Sequence, residues 1–212
     1  MYLQVALDRM TIQSAVGLVE QVRSSVDYVE VGTSLIKEYG MDSIRTLRLA
    51  FPDKILVADI KTLDNVRYEL ELCFKAGADV ATIMAVAPED TIELGFRVAS
   101  EYGKTIMLDF LNCSLETAQP YMEKQDVILC AHVGIDQQER STARAFPAPA
   151  VITRDGRTVR WSIAGGVGLD NIDSIVNLHP HVVIVGGAIV RASNPTDAAR
   201  QFRKALDKGD SQ

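Results

Sequence analysis

Short apolar runs alternate with amphipathic stretches along almost the whole chain. Leu3 to Leu7 is a brief strand-like run that ends in Asp8, and Ile12 to Val22 has helical spacing. Tyr28-Val29-Glu30-Val31-Gly32 reads as a second strand with a carboxylate in it, followed by a helix over Ser34 to Leu49 that Phe51-Pro52 closes. Ile55 to Ile60 is apolar enough for a strand buried on both faces, yet Asp59 interrupts it and Lys61 and Asp64 follow. Asn65 to Ala76 reads as a helix with Gly77 past its end. Val80 to Val86 is a fourth strand. Pro88 to Tyr102 is a helix with proline in its first turn and Gly103 beyond. Thr105 to Phe110 is a strand carrying Asp109, Ser114 to Lys124 a weaker helix, and Val127 to Val133 a strand carrying His132.

The pattern then weakens. Asp136 to Ala143 has helical character, but Phe146-Pro147-Ala148-Pro149 breaks it, and Ala150 to Arg160 reads as a short helix interrupted by Gly156. Order returns with a strand over Arg160 to Ala164, Gly165-Gly166, a helix over Leu169 to Leu178, a strand over Val182 to Val185, Gly186-Gly187, and an amphipathic helix over Pro195 to Leu206. Eight strand–helix units with no linker or low-complexity break predict one (β/α)8 TIM barrel domain over residues 1–212. A doubly wound open sheet is the other architecture with this alternation. Position separates them. Asp8, Glu30, Asp59, Lys61, Asp109 and His132 all sit at strand C-terminal ends, and a barrel gathers those ends around one mouth.

Composition narrows the partners. The 212 residues carry a net charge of -6, which argues against broad nucleic-acid binding. It leaves room for a phosphorylated small molecule, since backbone amides hold phosphate without net positive charge. No apolar run is long enough to span a bilayer, and the start of the chain lacks a signal-peptide pattern. Cys73, Cys113 and Cys130 have no metal-type spacing, so free thiols in a reducing cytoplasm are expected.

The charged residues admit two readings each. Asp59 and Lys61 are two apart and share a side of an ideal strand. They make either a structural ion pair, with Asp64 as a helix N-cap, or part of an active site. Glu30 and Asp59, at neighbouring strand ends with no second lysine near, suit Mg²⁺; the alternative is a pair of acids satisfied by Lys61. A Schiff-base role for Lys61 needs a lowered pKa, whereas neighbouring anions raise it, so Lys61 suits a charged group stabilising an oxyanion. His132 is an acid/base candidate by location or else a structural histidine. Gly165-Gly166 and Gly186-Gly187, after the seventh and eighth barrel strands, are either ordinary turns or a phosphate cradle. His179, His181 and Trp161 read as structural.

Asp59-Ile-Lys61-Thr-Leu-Asp64 matches the D-x-K-x-x-D motif, and the chain resembles the orotidine 5′-monophosphate decarboxylase suprafamily. Leu3-Gln4-Val5-Ala6-Leu7-Asp8 and Val29-Glu30-Val31-Gly32-Thr33 resemble, more specifically, its 3-hexulose-6-phosphate synthase and 3-keto-L-gulonate-6-phosphate decarboxylase family. The resemblance implies a (β/α)8 barrel homodimer, Mg²⁺ and a 1,2-enediolate made from a sugar phosphate. It implies metal-binding roles for Glu30 and Asp59 and a place near the enediolate for Lys61. It implies substrate contacts for Asp8 and Asp109 and proton transfer by His132. Asp64 matches the aspartate lent across the dimer interface, so that active sites are shared.

Branch details point one way. Glu30 and Asn65-Val66 depart from the orotidine-phosphate enzymes. His132-Val133-Gly134-Ile135-Asp136-Gln137-Gln138 resembles the synthase's His-Thr-Gly-x-Asp-x-Gln, with Ile135 where the keto-gulonate decarboxylases resemble His-Arg-Ser-Arg. Ala164-Gly165-Gly166 and Gly186-Gly187-Ala188-Ile189 are also synthase-like, where the decarboxylases carry Thr-Gly-Gly and Gly-Arg-Ser. Phe146 to Arg160 fits neither. The implied activity is aldol addition of formaldehyde to ribulose 5-phosphate, and its reverse. Decarboxylation of a keto-gulonate phosphate is the same-fold alternative, and a non-catalytic sugar-phosphate sensor the alternative of another class.

Overall fold

A computed structural model describes residues 1–122, 124, 126–134, 153–154 and 157–210. Eight parallel strands close into a barrel: β1 (Tyr2–Leu7), β2 (Tyr28–Val31), β3 (Ile55–Thr62), β4 (Val80–Met84), β5 (Thr105–Asp109), β6 (Val127–His132), β9 (Trp161–Ala164) and β10 (Val182–Val185). β1 pairs with both β2 and β10, which shuts the sheet and leaves no edge. The open-sheet alternative is thereby removed. The antiparallel pair β7 (Thr153–Arg154) and β8 (Arg157–Thr158) lies where the chain pattern read a short helix over Ala150 to Arg160. The stretch Asp136 to Ala143 lies outside the described residues.

Among the described residues the helices outside the barrel are α1 (Ile12–Val22), α2 (Thr33–Tyr39), α3 (Met41–Ala50), α4 (Val66–Ala76), α5 (Glu89–Tyr102), α6 (Ile172–Val176), α7 (Gly187–Val190) and α8 (Pro195–Gly209), with a 3-10 turn at Leu115–Tyr121. Local chemistry sets many of their ends. Thr11 caps α1 by accepting from Ser14 N, and Asn194 caps α8 by accepting from Asp197 N with Pro195 in the first turn. Gly77 ends α4 at φ 110°, where its amide and that of Ala78 return to the last carbonyls. Gly40 takes φ 60° and ψ -150°, which splits the single helix expected over Ser34 to Leu49 into α2 and α3. The helix expected over Leu169 to Leu178 shrinks to α6, and α7 is one the apolar pattern did not mark.

Two apolar layers flank the strands. The larger packs their outer faces against the helices, and Gly95 of α5 sits so close to β4 that a Cβ there would lie 2.3 Å from Ile83 Cδ1. The smaller fills the barrel with Tyr28, Val57, Val80, Met107, Cys130, Val182 and their neighbours. Strand alternation does the rest. Two residues beyond each of five of these inner positions lies a polar one: Glu30, Asp59, Thr82, Asp109 and His132. The greasy plug therefore ends where the chemistry begins, at the C-terminal mouth.

Candidate active site

The centre of the mouth is the ammonium of Lys61. Its Nζ donates to Asp59 Oδ1 and Oδ2 at 3.0 and 2.9 Å and to Asp109 Oδ2 at 3.2 Å. Lys61 does not get there by simple alternation. The β3–β4 register shifts between Ala58 and Thr62, and Lys61 adopts φ 49°. Its amide donates to Thr82 Oγ1 at 2.8 Å, which ties the irregular backbone to β4. A positive φ on a non-glycine residue costs energy and persists only where its surroundings impose it. Burial opposes the Lys61 charge, but Asp59 and Asp109 outweigh it and hold the ammonium above its ordinary range.

Asp109 links lysine to histidine. His132 Nδ1 lies 3.0 and 2.9 Å from Asp109 Oδ1 and Oδ2, and Leu111 N donates to Oδ1 at 2.9 Å. Burial raises the Asp109 pKa, yet bonding to and charge on His132, with the charge of Lys61 and the Leu111 amide, bring it below the ordinary range. A carboxylate only accepts, so the proton of neutral His132 rests on Nδ1 and leaves Nε2 with a lone pair.

Asp59 is saturated. Beyond Lys61 it accepts from Thr33 Oγ1 at 2.7 Å and Thr82 Oγ1 at 2.9 Å. Glu30 is its opposite. It is buried beside Asp59, and among the described residues its one side-chain partner is Gln4, whose Nε2 donates to Oε2 at 2.5 Å. Burial, then the Asp59 charge, push its carboxyl up to about 8. Gln4 Oε1 is itself buried with no partner among the described residues. Asp8 sits to the side, accepting from Ser34 N at 3.2 Å and Ser34 Oγ at 2.7 Å. Gly32 makes room for it, because a Cβ there would lie 2.5 Å from Asp8 Oδ1.

The structure thus brings Glu30, Asp59, Lys61, Asp109 and His132 together and puts Asp8 next to them. Asp64 stands apart, exposed, with Oδ1 accepting from Asn65 N at 2.7 Å. It is not the N-cap of α4; that position belongs to Asn65, in a left-handed conformation. Gly165 and Gly166 take φ 91° and 71° after β9, and Gly186 and Gly187 join β10 to α7. The residues that composition overlooked are Gln4, Thr33 and Thr82, polar groups in apolar strands or next to one. Their signal was that uncharged polarity in a strand buried on both faces also needs a partner.

Two donor sets have the chemistry of a cation site. Asp109, Cys130 and His132 have ligand atoms within 4.8 Å of one another. Burial and then the Asp109 charge hold the Cys130 thiol well above its ordinary pKa, which disfavours the thiolate that a soft metal would need. Glu30 and Asp59 offer hard oxygen donors only, and among the described residues no cation bonds to Glu30 directly. That under-compensated carboxylate fits a small divalent ion.

The cysteines are free thiols, and among the described residues no helix is long and apolar enough to cross a membrane. The family model described as "Orotidine 5'-phosphate decarboxylase / HUMPS family" matches residues 1–202. The chain is 30% identical to a 3-hexulose-6-phosphate synthase of Bacillus subtilis over 99% of its own length and 100% of that protein. It is 32% identical to one of Mycobacterium gastri, with 97% and 100% covered. The crystal structure of 3-hexulose-6-phosphate synthase from Salmonella typhimurium superposes with a TM-score of 0.89 at 32% identity, covering 99% of this chain and 100% of that one. A crystal structure of KGPDC from Streptococcus mutans gives 0.86 at 25% identity, with 98% and 97% covered. By the family match across nearly its full length and by these relatives, the chain belongs to the orotidine 5′-phosphate decarboxylase / HUMPS family.

Proposed function

We propose that the protein is a Mg²⁺-dependent 3-hexulose-6-phosphate synthase, adding formaldehyde to ribulose 5-phosphate and running the reverse cleavage. The single observation that carries the chemistry is the chain of contacts His132–Asp109–Lys61–Asp59 at the barrel mouth. The relatives named 3-hexulose-6-phosphate synthase support the substrate.

His132 Nε2 takes the C1 proton of ribulose 5-phosphate, and Asp109 stabilises the imidazolium that results. The electron pair left behind makes a 1,2-enediolate, whose oxyanion Lys61 stabilises from its permanently charged ammonium. The enediolate C1 attacks formaldehyde carbon, a C–C bond forms, and the new alkoxide takes the proton back from His132. Atoms balance without oxidant or reductant. A lysine held protonated in this way makes a poor imine-forming nucleophile, so Lys61 acts by charge.

Glu30 and Asp59 would hold Mg²⁺, which when bound supplies Lewis-acid stabilisation of substrate oxygens. Asp59 has only about four lone-pair positions, all taken by Lys61, Thr33 and Thr82. Lending one to a cation would require one of these donors to give up its bond to Asp59, and Lys61, which also bonds to Asp109, could do so without losing its anionic partners. Asp8 contacts the sugar hydroxyls. Gly165, Gly166, Gly186 and Gly187 cradle the phosphate with backbone amides, in the positions after the last two barrel strands. One domain holds the site, in a homodimer whose Asp64 completes the partner's mouth. Exposed Leu63, Tyr68 and Val86, on elements adjoining Asp64, supply apolar surface for that contact.

The test is product chemistry. Purified protein with Mg²⁺ is expected to consume formaldehyde in the presence of ribulose 5-phosphate and to release it from the hexulose phosphate. Release of CO₂ from keto-gulonate phosphate, with no formaldehyde fixed, moves the chain to the decarboxylase branch. Tight binding with no turnover of either makes it a sensor.

A further inference from the structure

We infer that Arg191, through a guanidinium laid over Gly187, supplies the cationic contact to the substrate's phosphate. The inference rests on the phosphate reading given above and names the side chain that completes that backbone cradle. Arg191 follows the last residue of α7, and its amide closes the turn on Gly187 O at 3.0 Å. Side chains of a helix lean toward its N-terminus, so the arginine runs back over the first turn toward the end of β10. A Cβ added to Gly187 would lie 2.3 Å from Arg191 Nη2, 2.8 Å from Cζ and 3.1 Å from Nε. Glycine at 187 is thus what lets the guanidinium settle there.

Charge accounting gives this position a purpose. Among the described residues Arg23, Arg45, Arg48, Arg67, Arg200 and Arg203 each pair with a carboxylate, whereas Arg9, Arg97 and Arg191 do not, and of these three Arg191 is the one whose guanidinium lies over a glycine of the cradle. Arg191 is exposed, and among the described residues no carboxylate pairs with it. The mouth meanwhile holds Asp8, Asp59 and Asp109 against Lys61, so a phosphate dianion is repelled from the centre. A planar guanidinium beside the Gly186-Gly187 turn answers that repulsion and can bind two phosphate oxygens at once. The decarboxylase-like sequence has its arginine at position 187 itself. Here the arginine stands one helical turn later, and its head returns to the space above that position.

The experiment measures binding of ribulose 5-phosphate by calorimetry and steady-state kinetics in the Mg²⁺-loaded full chain. Arg191→Ala is expected to raise both Kd and KM about 10- to 100-fold with kcat within about threefold, and Arg191→Lys to fall between. Binding of unphosphorylated ribulose should be the same in all three proteins. Gly166→Ala, which puts a side chain at φ 71° in the backbone half of the cradle, should also weaken ribulose 5-phosphate binding. If Gly166→Ala weakens binding and Arg191→Ala does not, Arg191 is overturned and the cradle stands. If neither weakens it, the phosphate reading itself fails. Equal loss for the phosphorylated and unphosphorylated sugars in Arg191→Ala would mark a merely structural arginine.

Discussion

The two sides of the barrel mouth are built on different principles. From β2 to β6, side chains make the site: Glu30, Asp59, Lys61, Asp109 and His132 form a network of charges over a shared apolar floor. At β9 and β10, glycines put backbone at the surface and a single arginine folds back over one of them. The first side is dense with charge, compensated everywhere but at Glu30, and tolerates little change, because each buried ion depends on its partners. The second is open and sits nearer solvent, where contacts are screened and individually weaker. In the proposed function, chemistry belongs to the first half and capture to the second.

The sharpest break of that division is Lys61→Ala. Removing the ammonium leaves Asp59 and Asp109 facing each other without a cation and removes the oxyanion's stabiliser. A fall in kcat of about 1,000-fold or more is expected, with the Kd for ribulose 5-phosphate changed by less than about tenfold. Glu30→Gln keeps the shape of the side chain and its neighbours but loses the charge. Titration with Mg²⁺ should show affinity lower by about 10- to 100-fold while the circular dichroism spectrum is unchanged. Full turnover in exhaustively chelated wild type would remove the metal from the account.

Asp64, in the loop after β3, tests whether the side-chain half of the mouth is complete in one chain. Lys61→Ala and Asp64→Ala should each be nearly inactive. Unfolded together and refolded as a mixture, about half the dimers pair unlike chains, and each of these has one intact site, so activity should recover to about a quarter of wild type. If Asp64 serves its own barrel, mixing recovers nothing.

The smallest effect is a pH dependence of stability. Glu30 titrates at about 8 in the folded protein against an ordinary 4.5. Between those values the folded chain binds more protons than the unfolded one, so stability falls as pH rises. The melting temperature of Mg²⁺-free protein should therefore decline from about pH 5 to about pH 8. Glu30→Gln should flatten that slope, and a slope identical in the two proteins removes Glu30 as its source.

Much of the reactive half was legible in the sequence because charge in an apolar strand advertises itself. Asp59, Asp109 and His132 stood out at strand ends, and β/α alternation supplied the ring that gathers them. The geometry of Lys61 was not legible in the same way. Two-residue spacing pointed it to the side of Asp59, but it arrives through a register shift and a positive φ, which no periodicity encodes. Gln4, Thr33 and Thr82 are uncharged, so their signal is weaker than that of the acids, and only the structure shows them to be the partners that Glu30 and Asp59 need. The break at Gly40 and the short α7 escaped for a different reason: one or two turns carry too few residues for an apolar stripe to show. Arg191 was hidden with α7, since its reach back to Gly187 is a property of that helix. For Asp64 the sequence offers a helix cap or a partner-site residue, and Asn65 in the cap position of α4 removes the first role.

The central claim is that the His132–Asp109–Lys61 network makes and holds an enediolate, and proton exchange reads it most directly. Ribulose 5-phosphate is incubated with Mg²⁺-loaded protein in D₂O without formaldehyde, and the C1 proton is followed by NMR. The account predicts stereospecific exchange of one C1 hydrogen, slowed by about 100-fold or more in Lys61→Ala and in His132→Ala. No exchange in wild type that fixes formaldehyde, or exchange that survives both substitutions, would contradict it.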